Sequence, residues 1–62
     1  MENGIYKSEN ATYYVKENKI LMQIKGNFYK TNKNFMQGRF KDKLTEGMAK
    51  NFEKAYSKAT NW

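Results

Sequence analysis

Sixty-two residues make one domain at most, and a chain this short buries only about 60% of the surface its unfolded form exposes. There is no Cys and no His, which excludes disulfides, thiolate zinc sites and imidazole ligands; five Tyr, four Phe, one Trp and the aliphatic residues must supply the core. Twelve basic residues against six acidic ones give a net charge of +6, a field that draws nucleic acid, an anionic membrane surface or an acidic protein face.

Met1 to Lys7 holds no apolar run of the signal-peptide kind, and no stretch reaches the roughly 18 apolar residues that a membrane span needs. A cytoplasmic protein is the expectation. Turn signals follow at Glu9-Asn10, Glu17-Asn18, Gly26-Asn27 and the polar run Thr31 to Asn34. Between them, runs rich in Tyr, Ile, Val and Phe predict strands at Gly4–Ser8, Ala11–Lys16, Lys19–Lys25 and Phe28–Thr31, with a fifth short strand at Phe35–Phe40.

Two-residue loops at those signals set a register. Tyr6 then faces Tyr13, Tyr13 faces Met22, Val15 faces Ile20, Ala11 faces Ile24, Ile24 faces Tyr29 and Lys25 faces Phe28. Side chains alternate across a sheet. One face therefore collects Tyr6, Ala11, Tyr13, Val15, Ile20, Met22, Ile24, Tyr29 and Thr31. The other collects Ile5, Lys7, Thr12, Tyr14, Lys16, Lys19, Leu21, Gln23, Lys25, Phe28 and Lys30.

The last third changes period. Leu44, Met48, Phe52, Ala55 and Ala59 fall within an arc of about 80° at helical spacing, with Lys43, Lys50, Lys54 and Lys58 opposite. A helix over Asp42 to Thr60 is predicted, with Asp42 or Thr45 as its cap and Trp62 in line with the apolar stripe if the helix continues. The stripe is expected to cover the apolar sheet face. The reading is a single α+β domain over residues 1–62: an antiparallel meander of about four strands, with a fifth, packed on one C-terminal amphipathic helix.

Catalysis finds little purchase in this sequence, and the expectation is a protein that is not an enzyme. With no His, acid–base work falls to carboxylates. Glu9 and Glu17 sit in turns, Asp42 at a cap, and Glu46 and Glu53 lie about 10 Å apart along a wet helix face. Ser8 and Ser57 lack a base partner, the glycines form no phosphate-cradling motif, and no oxygen cluster suggests a metal or cofactor.

Binding is the better prospect. Tyr14, Leu21 and Phe28 interleave with lysines on the second sheet face, and aromatic rings among cations suit single-stranded nucleic acid. The candidate contact set is Tyr14, Lys16, Lys19, Lys25, Phe28, Lys30 and Arg39, the single arginine. Lys43, Lys50, Lys54 and Lys58 form a secondary basic stripe. Direct base readout is not expected, because the heads are mostly ammonium. Three other readings stand beside this one. The same face could anchor an inhibitor or adaptor, of the kind a phage encodes, on an acidic surface of a host protein. A homodimer could pair the exposed hydrophobics. Or the sheet curls on itself and buries Leu21 and Phe28 as plain structure.

In arrangement alone, a four-strand sheet followed by a helix resembles the single-strand-binding domain of a transcriptional-coactivator family, and a basic sheet with a C-terminal helix looks like small archaeal chromatin proteins. That resemblance implies nucleic-acid binding and assigns no residue.

Overall fold

The computed structural model describes residues 2–34 and 36–62. Met1 and Phe35, the latter opening the expected fifth strand, lie outside the described residues. The elements are β1 (Gly4–Lys7), β2 (Thr12–Lys16), β3 (Lys19–Ile24), β4 (Asn27–Thr31), β5 (Arg39–Asp42), α1 (Glu46–Lys58) and β6 (Thr60–Asn61). They form one six-stranded sheet in the order β5-β1-β2-β3-β4-β6. Pairing is antiparallel except for β6, which joins β4 in parallel. The fold is α+β, a meander with one C-terminal helix, as its hydrophobic patterning indicates. No helix among the described residues is long and apolar enough to cross a membrane.

The first two hairpins take the expected register. Tyr6 pairs with Tyr13, Tyr13 with Met22 and Val15 with Ile20. The third differs. Ile24 pairs with Asn27, Gln23 with Phe28 and Met22 with Tyr29, so the loop is Lys25-Gly26 rather than Gly26-Asn27. Lys25 and Gly26 have φ of 50° and 82°, as do Glu17 and Asn18 at 51° and 67°. Positive φ at both central residues marks the type I′ turn, whose twist matches that of the flanking strands. Glycine occupies the second central position, where its positive φ carries no steric cost. The pairing moves by an even number of residues, so every side chain keeps its expected face.

The first face carries the main core. Tyr6, Tyr13, Val15, Ile20 and Met22 are buried there, with Ala11, Ile24, Tyr29 and Met36 packed against them. Its cover is the chain itself. β4 and β5 lie far apart in the strand order, so the connection between them must cross the sheet. It does so on this face: a Cβ on Gly38 would sit 3.0 Å from both Tyr13 Cδ1 and Tyr6 Cβ. Gly38 is therefore a close-approach residue. The crossing also displaces the fifth strand from Phe35–Phe40 to Arg39–Asp42: pairing with β1 begins at Arg39 opposite Lys7, once the chain has crossed the face at Gly38. Phe40 then stands edge-on to Tyr6 at 5.3 Å between ring centroids.

The helix is shorter than its periodicity suggests. The Thr45 hydroxyl accepts from the Met48 N–H at 3.3 Å and starts it at Glu46, while Asp42 closes β5. Ala59 is extended, and the chain turns to pair with β4. Trp62 leaves the helical line, donates its backbone N–H to the Lys30 carbonyl at 3.0 Å and packs its ring edge-on to Tyr29 at 5.4 Å.

The helix also lies on the face opposite to the one expected. Phe52, the helix's buried side chain, sits over Tyr14, Leu21 and Phe28, not over Val15 and Met22. Leu21 is as deeply buried as Met22. The first face needs no helix because the β4–β5 connection fills it. The apolar stripe instead seats on the second apolar cluster, where burying a side chain the size of Leu or Phe contributes about 1.5–3 kcal/mol.

Candidate binding surface

Much of the expected contact set fastens the helix. Lys16 Nζ donates to the Ala49 carbonyl at 3.4 Å. Lys19 Nζ reaches the Glu53 carboxylate at 3.1 Å and stands 5.7 Å from the centre of the Tyr56 ring. Lys30 Nζ approaches the same ring at 5.5 Å. Tyr14 is half-buried and donates its hydroxyl to Gln23 Oε1 at 3.1 Å. The flat, ring-bearing face open to solvent is therefore replaced by a face under a helix.

The helix does not seal that face. Phe52 is buried against the sheet, while the flank carrying Met48, Asn51, Lys54 and Lys58 borders open concavities. An apolar pocket of about 410 Å³ opens there, lined by Tyr14, Leu21, Phe28, Leu44, Met48 and Phe52. Its floor is Leu21 and Phe52. Phe28, 36% exposed, and Met48, 40% exposed, stand at the surface.

A groove of about 580 Å³ continues from it between β4 and the helix, lined by Asn27, Phe28, Asn51, Lys54, Lys58 and Thr60. Phe28, Asn51 and Ala55 belong to both concavities. At Gly26 this groove adjoins a third, of about 380 Å³, formed by Lys7, the 8–10 turn, Gln23 and Lys25. Lys7 and the same turn border a fourth, of about 440 Å³, with Gln37 and Arg39. The concavities make one track around an end of the molecule: Arg39, Lys7, Lys25, then Phe28 with Lys54 and Lys58. Among the described residues that line it, Glu9 is the one acid.

The structure thus brings Lys25, Phe28 and Arg39 onto the same track as Lys54 and Lys58 from the secondary stripe. It sets Lys16, Lys19 and Lys30 apart, at the helix seat, and leaves Tyr14 in the wall of the apolar pocket. Lys43 precedes the helix and lies beside Lys16 and Glu2; Lys50 is exposed on the helix. Sequence reasoning left out Lys7, Leu44 and Met48. One signal could have found the covered face: Ile20-Leu21-Met22 is an unbroken apolar run, the pattern of a strand buried on both sides.

No protein-family model matches the chain, and no curated protein or solved structure matches it either.

Proposed function

We propose that this chain is a small non-enzymatic nucleic-acid-binding protein whose contact surface is the cationic track Arg39–Lys7–Lys25–Lys54–Lys58, with Phe28 as its exposed ring. The carrying observation is the continuity of five cations over adjoining grooves with a single carboxylate among them. Ammonium and guanidinium heads spaced along one path suit a polymer with a charge on every unit. Their pairing with phosphates releases condensed counterions, which supplies affinity without reading sequence. Phe28 adds a ring on which any base can stack, worth about 1–3 kcal/mol.

The test is a salt titration of a labelled oligothymidylate of about 12 nucleotides. Five phosphate contacts on a single strand give a log–log slope of about −3.5, or roughly a 100-fold loss of affinity between about 50 and 200 mM salt. The combined variant Lys7→Gln, Lys25→Gln, Lys54→Gln, Lys58→Gln should flatten that slope, and Lys50→Gln should leave it nearly unchanged. No binding at about 50 mM salt overturns the reading.

A second reading, docking on an acidic surface of a host protein, is favoured by the exposed Met48 and Phe28 beside the same cations. Co-purification of a protein partner that survives nuclease treatment would select it.

A further inference from the structure

We infer that the apolar pocket beneath the first half of the helix receives one unstacked base of the bound strand, which makes the track selective for single strands over duplexes. This rests on the reading of the track as a nucleic-acid surface.

The pocket and the cations are one site by construction. Phe28 and Asn51 line both, so a base lying on Phe28 places its own phosphate in the groove of Lys54 and Lys58. The walls suit a flat heterocycle: Phe28 and Tyr14 offer rings, Met48 a polarizable thioether, and Leu21 with Phe52 a dry floor. Asn51 stands at the junction with an amide that can both donate to and accept from a base edge.

Peptides fit less well. An extended peptide gains affinity by adding a strand, but β6 already pairs the edge of β4 at Tyr29 and Lys30 and leaves only the short stretch Asn27-Phe28 beside this groove. A helical peptide needs a long apolar groove for anchors on successive turns, whereas this apolar stretch ends where Lys54 and Lys58 begin. A duplex keeps its bases paired and stacked, so it can offer only phosphates unless a base is extruded at a cost of a few kcal/mol.

The experiment compares three probes with equal phosphate counts: an oligothymidylate, an abasic strand of the same length and a duplex. The thymidylate should bind about 5- to 100-fold more tightly than the abasic strand at one salt concentration. Met48→Ala and Phe28→Ala should bring that ratio towards one while leaving the salt slope intact. Both residues are exposed, so the variants are expected to fold; circular dichroism checks it.

If thymidylate and abasic strand bind equally, with the expected slope, the base pocket and the stacking role of Phe28 are both wrong and the cationic track stands; if Phe28→Ala lowers the ratio and Met48→Ala does not, bases stack on the open ring and the pocket is wrong. Failure of all three probes to bind overturns the track and the pocket with it. If an acidic peptide bearing one Phe binds in a Met48-dependent way while the strands show no such dependence, the pocket's occupant is protein and the inference falls.

Discussion

The two faces of this sheet are both apolar at their centres, yet they are closed by different means. The face of Tyr6, Tyr13, Val15, Ile20 and Met22 is covered by a connection anchored at both ends in the sheet, between β4 and β5. The face of Tyr14, Leu21 and Phe28 is covered by a helix laid across it afterwards. An irregular connection can follow the contour of the sheet residue by residue, and Val15 on the face it crosses is fully buried. A helix is a rigid cylinder on a twisted surface. It seats Phe52 over Leu21 and leaves its flank standing off, with Phe28 at the gap. Stability belongs mainly to the first face, and the open concavity to the second.

Truncating the first face should cost most. Tyr13 is 5% exposed and lies against the Gly38 crossing. Tyr13→Ala should lose about 3–5 kcal/mol, most of what a domain this small commands, and abolish a cooperative urea transition. A variant that still unfolds cooperatively within about 1 kcal/mol of the parent would refute the assignment of stability to this face. Phe52→Ala should cost somewhat less, about 3 kcal/mol, and act differently. Hydrogen exchange should show amides of Glu46–Lys58 losing protection while those of β1 to β3 keep theirs. Simultaneous loss in helix and sheet would mean that the two faces are not separable.

The sequence made most of the sheet readable, because alternation has a period of two and a wrong odd register would have set Lys16 opposite Ile20 on one side. Even the misplaced third turn left the faces intact. What it hid was the identity of the cover on each face. The helix stripe of Met48, Phe52 and Ala55 fits either apolar patch, since hydrophobic burial is non-directional. The choice depends on the β4–β5 connection, which must link strands far apart in the sheet and does so over the first face. Nothing in the local pattern of Thr31 to Gly38 announces that path. The binding surface suffered accordingly. Lys16, Lys19 and Lys30 read as free cations, and their role at the helix seat emerges only with the helix in place, while Lys7 and Lys54 come to line adjoining grooves only through tertiary folding.

A smaller effect is expected at the edge of the first face. The Tyr6 hydroxyl donates to the Glu2 carbonyl at 2.7 Å, and burial, then the nearby Glu2 carboxylate, raises its pKa above the usual phenol value. The neutral phenol is the form that the fold favours. Its contribution is therefore complete below about pH 10 and is lost as pH rises through the elevated folded value. Tyr6→Phe removes a hydrogen bond worth about 1 kcal/mol near neutrality. The stability difference between parent and variant should shrink as pH is taken from about 9 to 11. A difference that stays constant or grows over that range contradicts the sign.

The smallest effect is expected at the surface ion pair between the layers. Lys19 and Glu53 meet at 3.1 Å with side chains 43% and 48% exposed, so water and salt screen them heavily. Glu53→Gln should change stability by about 0.5 kcal/mol or less, and the difference should vanish near 1 M salt. A larger loss would mean that the helix is held on its face by charge rather than by Phe52 over Leu21. The gap at Phe28 would then widen with ionic strength. The salt dependence of strand binding would in that case report a moving helix as well as released counterions, and its slope would no longer count the phosphates on the track.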